Sequence, residues 1–189
     1  MTRRQIAIAA LGALMIAALV GAAGAHQSRI AAAREILVIS EAVDPRALLV
    51  GHYAQLALQP ATADPAVPRP AGMTGGAKVF ARLAPAGPPG AWRVIEITAG
   101  PSRPAGDDVV VAVTVSYVDD DGRVTFAWGP DRVYLDQTEA VAVEEATRRA
   151  FDAAPDAPAR VLAILAVEPS GTTLVKGVAI DGERVETRW

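Results

Sequence analysis

A run of 20 residues without a charged side chain, Ile6–Ala25, constrains this chain more than any other feature. As an α-helix rising about 1.5 Å per residue, the run would be about 30 Å long, the hydrocarbon thickness of a bilayer. Arg3 and Arg4 precede it, and basic residues there favour a cytoplasmic N-terminus. The run therefore predicts a single-pass anchor in the lipid bilayer of the cytoplasmic (inner) membrane.

The same run is also consistent with a cleaved signal peptide, because Ala23, Gly24 and Ala25 provide the small residues of a cleavage site. Both interpretations export the remainder of the chain, so we expect a periplasmic or otherwise extracytoplasmic main domain. The expected divisions are an anchor or signal peptide over 1–25, a short stalk over 26–35 and one domain over 36–189.

The main domain has the alternation and the turn spacing of antiparallel strands. Val109–Val118 and Val124–Trp128 flank Asp119-Asp120-Asp121-Gly122, where Asp-Gly readily adopts the positive φ values of a tight hairpin turn. A second hairpin is expected from Val161–Val167 and Thr173–Ile180. The pattern predicts a mainly β (α+β) fold of seven to nine strands, either an antiparallel sandwich or a partly open barrel.

Two further segments interrupt the strand pattern. A helix is predicted from about Thr138 to Asp152, with Asp136 or Thr138 as its cap and Glu139 in its first turn, where the helix dipole favours an acidic residue. The stretch 60–76 is rich in proline, alanine and glycine, and we expect it to be a solvated loop with polyproline character.

The stretch from Asp44 to Leu58 carries the most specific local pattern. Asp44 can cap a short helical turn, Pro45 has the φ of a first helical position, and Gly51 can end the turn with a left-handed φ. Alternation then predicts a strand. One face of that strand would carry His52, Leu56 and Leu58, and the other would carry Tyr53 and Gln55.

This stretch resembles the signature of the GDYXXLXY family of membrane-anchored bacterial proteins. Gly51, Tyr53 and Leu56 match the motif, whereas His52 stands where the family has Asp and Leu58 where it has Tyr. The resemblance implies a location in the bacterial envelope and an association with multi-span membrane proteins, but it implies no established activity. Other segments similar to family blocks are Phe126–Gly129, Arg132–Leu135 and Val161–Gly182.

Charge and composition argue against several classes of function. Arg3 and Arg4 account for two of the 18 basic residues, so 16 basic and 21 acidic residues follow them, a formal charge of −5. A mildly acidic domain with 5% aromatic residues is a poor electrostatic ligand for nucleic acid. The chain has no cysteine and two histidines, so we predict no metal site and no cofactor.

The sequence also lacks the common catalytic patterns. No Gly-x-Ser-x-Gly motif is present, and no Ser-x-x-Lys spacing links a serine to Lys78 or Lys176. The adjacent Glu144 and Glu145 would point in different directions from a helix. We therefore predict that the protein is not an enzyme, and a hydrolase with an unrecognised site is the least favoured hypothesis.

The leading hypothesis is a non-enzymatic accessory or partner of an integral membrane protein, and the alternative is an envelope module that binds a small ligand. The signature turn supplies most of the candidate contact residues, although His52 can instead be a hydrogen-bonded turn residue and Asp44 and Arg46 can pair locally. Tyr53 and Trp128 can either pack in the core or line a groove. The candidate contact surface is Asp44, Arg46, Gly51, His52, Tyr53 and Trp128.

Overall fold

A computed structural model describes residues 2–41, 53–151 and 161–186, and the chain forms two compact units, an N-terminal helix and a domain that begins at Arg34. The helices are α1 (Arg3–Ala32) and α2 (Gln137–Phe151). The strands are β1 (Arg34–Glu41), β2 (Tyr53–Gln55), β3 (Ala57–Leu58), β4 (Thr62–Ala63), β5 (Lys78–Pro85), β6 (Trp92–Thr98), β7 (Val109–Val118), β8 (Val124–Trp128), β9 (Arg132–Tyr134), β10 (Val161–Val167), β11 (Thr173–Ile180) and β12 (Glu183–Glu186).

The predicted apolar segment lies inside α1. Thr2 caps the helix, because its hydroxyl accepts a hydrogen bond from the Gln5 N–H at 3.4 Å while the Gln5 side chain accepts one from the Thr2 N–H at 2.8 Å. The helix continues through most of the predicted stalk to Ala32, and β1 begins at Arg34, two residues earlier than the predicted domain boundary.

The remaining elements form antiparallel sheets, which confirms the predicted fold class. One five-stranded sheet has the order β12-β11-β10-β1-β3, another has the order β4-β8-β7-β5-β6, and β2 pairs with β9. Both predicted hairpins, β7–β8 and β10–β11, are present. The described residues contain more than the expected seven to nine strands because β2, β3, β4 and β9 are only two or three residues long.

The sheet that contains β7 and β8 nearly closes on itself like a small barrel. Its two outer strands, β4 and β6, approach each other, and the Ile97 N–H of β6 donates to the Pro68 carbonyl at 2.8 Å. The Arg69 guanidinium also donates to the Gly122 carbonyl in the β7–β8 turn. The start of the proline-rich stretch thus belongs to the barrel-like sheet through β4, whereas 64–76 is irregular with no buried residue, as expected of a solvated loop.

Backbone hydrogen bonds also join the two large sheets at their corners. The Ala112 N–H of β7 donates to the Gly171 carbonyl at the tip of the β10–β11 hairpin at 2.8 Å. Gly171 has a φ of +83°, and a Cβ there would lie 3.1 Å from the Phe80 ring, so the close approach favours glycine. At another corner the Ile39 N–H of β1 donates to the Gly90 carbonyl at 3.0 Å.

One hydrophobic core fills the space that the sheets enclose. Leu83 of β5, Val111 of β7 and Leu165 of β10 are fully buried within it. The central strand β10 is apolar on both faces, since Ile164 and Ala166 are also fully buried. The helix α2 contacts β2, β10 and β11. Its start is fixed by Asp136, whose carboxylate accepts from the Glu139 N–H at 2.9 Å.

Candidate functional site

The strand that carries the signature tyrosine pairs with the second segment that resembles a family block. Tyr53 of β2 lies opposite Tyr134 of β9, and Gln55 lies opposite Arg132. The Leu56 N–H then donates to the Asp131 carbonyl at 2.7 Å. The stretch that begins at Tyr53 thus runs antiparallel to the stretch that ends at Tyr134.

The same two stretches meet again farther along the chain. Thr62 of β4 lies opposite Thr125 of β8, and the Phe126 N–H donates to the Ala61 carbonyl at 2.9 Å. The register is identical to that of β2 and β9, so neither stretch gains or loses a residue between the two paired ends. The two short ladders are therefore the ends of one interrupted ladder.

Between the paired ends, the first stretch turns away to join another sheet. Leu58 of β3 pairs with Ser40 of β1, and the Gln59 N–H donates to the Ile39 carbonyl at 2.9 Å. Pro60 and Pro130 have no N–H to donate across the interruption. The ladder is therefore interrupted where the first stretch, as β3, pairs with β1 in place of the second stretch.

Both stretches also reverse their faces across the interruption. In the first stretch Leu56 and Leu58 are buried before it, and Ala63 is buried after it, so the buried positions change from even to odd numbers. In the second stretch the buried residue on one side is Val133 and on the other side Trp128. Side chains alternate between the two faces of a strand. Each stretch therefore presents the opposite set of side chains to the core after the interruption, although the residues that face each other across the ladder stay in the same register.

The interruption leaves a groove of about 180 Å³ that is open to solvent. We call it the ladder gap. Its lining residues are Leu56, Ala57, Leu58, Gln59, Ala61, Phe126, Ala127, Trp128, Pro130 and Asp131.

The lining of the ladder gap is mainly apolar, and three of its residues, Trp128, Gln59 and Asp131, have polar side-chain groups. Trp128 is 8% exposed, and its indole N–H already donates to the Pro60 carbonyl at 3.1 Å. The Gln59 side-chain oxygen accepts from the Ala61 N–H at 3.0 Å. The Asp131 carboxylate is about half-exposed and forms an ion pair with the Arg132 Nε at 3.7 Å. The groove can therefore hold a small apolar group beside a half-exposed carboxylate.

The candidate contact residues from the sequence fall in different parts of the chain. Asp44, Arg46, Gly51 and His52 lie outside the described residues, as does the predicted capped turn. The backbone of Tyr53 lies in β2, three residues before Leu56, the first lining residue of the ladder gap. The two alternatives for Trp128 are combined in the structure, because its side chain is buried and also lines the groove. The assignment of these residues to a contact surface stays a prediction.

Gln59, Phe126 and Asp131 are groove residues that the sequence did not indicate. Gln59 is more than 60 residues from the other two in the chain, and it meets them because of a long-range register that local periodicity does not encode. The prolines at positions 60 and 130 were the available signal, since proline is unfavourable within a paired strand.

A second polar feature lies on β1, β11 and β12. The Glu35 carboxylate accepts hydrogen bonds from Lys176 at 2.6 Å and from Arg184 at 2.8 Å. These bonds, with Arg184 the larger influence, lower the pKa of Glu35 from 4.5 to about 2. Both carboxylate oxygens have a cationic partner, so we interpret the cluster as a stabilising link across the sheet. Among the described residues, no group of three or more acidic or histidine side chains is placed to hold a metal ion.

The structure defines a class of protein in which a β-rich domain follows one long apolar helix. Comparison with protein families identifies the particular one: the model of the GDYXXLXY protein family matches residues 15–178, so the chain belongs to the GDYXXLXY family. The match includes both segments that border the ladder gap. Searches of curated proteins and of solved structures found no match.

Proposed function

We propose that α1 anchors this protein in the cytoplasmic membrane and that its extracytoplasmic β-rich domain acts as a non-enzymatic accessory or partner of another membrane protein. The main observation in support of the proposal is that the apolar helix α1 is exposed. This helix is 30 residues long, contains an 18-residue window with a mean hydropathy of 2.5, and has no buried residue.

The physical argument is the cost of leaving such a helix in water. Eight of its large apolar side chains are more than half exposed; they are Ile6, Ile8, Leu11, Leu14, Met15, Ile16, Leu19 and Val20. Burying one large aliphatic side chain is worth about 1.5–3 kcal/mol. Insertion into lipid would remove all of these side chains from water. The domain does not need them, because it buries other apolar side chains in its own core.

The accessory role is supported by the relation between the two segments that resemble family blocks. β2 and β9 pair directly, and the ladder they begin opens at a groove that reaches solvent. The contact surface that we propose combines Trp128 of this groove with residues of the signature stretch. The proposed surface comprises Asp44, Arg46, Gly51, His52, Tyr53 and Trp128.

Membrane fractionation of cells that express the full chain tests the anchor. We expect the intact protein in the membrane fraction after alkaline carbonate extraction, with a domain that externally added protease can reach in spheroplasts. A released protein that begins at His26 would contradict the anchor and would support cleavage after Ala25.

In-cell photo-crosslinking tests the accessory role. A photoreactive amino acid at position 48 or 52 is expected to give a discrete adduct with a multi-span membrane protein, which mass spectrometry of the membrane fraction would identify. An exposed position in the β7–β8 turn, Asp120, provides the matched control. Normal expression without adducts from any tested position would contradict the accessory role.

A small-ligand-binding module is the second candidate function, and the ladder gap is the observation that favours it. A thermal-shift screen of the purified full-length protein in detergent would test this alternative. A ligand present at 100 times its dissociation constant should add about 2.7 kcal/mol to the free energy of unfolding. A screen in which no compound raises the melting temperature would argue against it.

A further inference from the structure

We propose that the ladder gap receives one apolar side chain from an extracytoplasmic segment of the partner membrane protein, and that a lysine or arginine next to that side chain pairs with Asp131. This inference rests on the proposed accessory function and names the chemistry of the contact.

The size of the ladder gap argues for a single side chain. Its volume is about 180 Å³. An engineered apolar cavity of about 150 Å³ binds one benzene molecule, so the gap accommodates a group of leucine or phenylalanine size. Pockets for drug-sized ligands generally have volumes of about 300–1,000 Å³ and enclose most of the ligand. A shallow apolar pocket of this size instead fits an anchor residue at a protein interface.

The lining makes the pocket ready to receive such an anchor. Phe126 and Trp128 are both buried residues whose positions are fixed by the core and by hydrogen bonds to the opposite stretch. Because the Trp128 indole N–H is already bonded to Pro60, an apolar side chain would not leave it without a partner. Filling the gap would remove apolar surface from water at little cost in ordering the groove.

The charge of the rim selects the neighbouring residue of the partner. The Asp131 backbone is fixed by the hydrogen bond from Leu56, and its side chain is about half-exposed beside the groove. Its ion pair with Arg132 at 3.7 Å is exposed and longer than a hydrogen bond, so a cation of the partner can compete for the carboxylate. The chain beyond Arg4 has a formal charge of −5, which also favours a basic partner segment.

The test places a photoreactive phenylalanine analogue at position 127 of the full-length protein in cells. Ala127 is exposed and lines the gap, whereas its cross-strand neighbour Thr114 is equally exposed but lies outside the lining. We expect an adduct from position 127 and none from position 114. Peptide mapping should place the adduct on an apolar residue that has a lysine or arginine within two positions.

Charge reversal tests the second half of the proposal. Asp131→Lys combined with the crosslinker at position 127 should lower the adduct yield about fivefold, the effect expected from one exposed ion pair or slightly more. Asp120→Lys, which makes the same change in net charge at an exposed turn, should leave the yield unchanged. Equal yields from the two variants would overturn the role of Asp131.

The outcomes separate this inference from the function on which it rests. Adducts with a membrane protein from position 48 or 52, but not from position 127, would overturn the ladder gap as the contact while the accessory role stands. A lipid or small-molecule adduct at position 127 would also overturn it. Adducts from no position would remove both proposals.

Discussion

The two edges of β8 differ, and the difference locates the candidate site. Along one edge, β8 pairs with β7 from Val124 opposite Val118 to Trp128 opposite Val113, with one irregularity near Val115. Along its other edge, β8 pairs with β4 only at Thr125 and Val124, and the ladder resumes only in β9. One strand thus takes part in a nearly continuous ladder and in an interrupted one, and the ladder gap lies at the interruption.

Local sequence explains the complete edge. The Gly122 N–H donates to the Asp119 carbonyl at 2.9 Å, and Gly122 has a φ of +87°, as the Asp-Gly pattern predicts. The interrupted edge joins stretches that are distant in the chain and that contain Pro60 and Pro130. The edge paired with β7 follows from a local turn, whereas the groove at the other edge depends on contacts between stretches that are distant in the chain.

The largest effect is expected from a substitution in the core of the barrel-like sheet. Leu83→Ala removes a fully buried side chain from the core of the barrel-like sheet. We expect a loss of about 2–5 kcal/mol in the free energy of unfolding, because the surrounding strands cannot collapse fully into the cavity. Urea unfolding of the full-length protein in detergent measures it. A loss below about 1 kcal/mol would show that this sheet is not closely packed.

An intermediate loss of stability is expected from a matched pair of tryptophan substitutions, one at the ladder gap and one away from it. Trp128→Phe removes the indole bond to Pro60 at the ladder gap, and Trp92→Phe removes the equivalent bond to the Leu37 carbonyl at a sheet corner. Each variant should lose about 1–2 kcal/mol in the free energy of unfolding, because a carbonyl loses its donor.

Only Trp128→Phe should also lower the yield of adduct from position 127, since Trp92 does not line the groove. An equal fall in yield for both variants would mean that the contact responds to stability and not to the ladder gap.

The ion-paired cluster on the other sheet predicts a pH dependence. The pKa of Glu35 is about 2 in the folded protein, below the ordinary value of 4.5, so its stabilising contribution is complete above pH 4.5 and is lost as the pH falls toward 2. The carboxylate is about one-third exposed, and solvent screening limits the contribution to about 1 kcal/mol.

Glu35→Gln should reduce the pH dependence of the unfolding free energy over this range. Glu96→Gln, at another cross-strand ion pair, provides a comparison, since Glu96 bonds to a single arginine, Arg82, at 2.9 Å. An identical pH profile for wild-type protein and Glu35→Gln would contradict the assigned cause of the pKa shift.

The smallest effect on stability is expected at the open edge. Ala127→Leu and Thr114→Leu each enlarge an exposed side chain, and each should change the free energy of unfolding by no more than about 0.5 kcal/mol. A loss of more than about 2 kcal/mol for Ala127→Leu alone would show that the groove is a packed part of the core and not a free surface.

Much of the fold could be predicted from the sequence because its signals are local. These signals are the apolar run of α1, the Asp-Gly turn of β7–β8 and the capping residues of α2. Each consists of residues that are close together in the sequence. The helix predicted from Thr138 to Asp152 corresponds to α2. The observed helix begins one residue earlier, at Gln137, because Asp136 is the capping residue and accepts a hydrogen bond from the Glu139 N–H.

The candidate site could be predicted only in part. The signature motif indicated Tyr53 and the second similar segment indicated Trp128, and of these Trp128 lines the ladder gap. Asp131 and Gln59 were missed, because their approach depends on a register between distant stretches and on β3 leaving one sheet for another. The role of the proline-rich stretch was missed for the same reason, since its contact with β6 is also long-range.

Disulfide trapping tests the central claim, that one register continues across the ladder gap. The chain has no cysteine, so Gln55→Cys with Arg132→Cys and Thr62→Cys with Thr125→Cys place unique pairs at directly opposed positions on either side of the gap. We predict that both pairs oxidise readily in membranes, whereas Gln55→Cys with Asp131→Cys, displaced by one residue, does not. Efficient oxidation of the displaced pair in place of Gln55→Cys with Arg132→Cys would contradict the account.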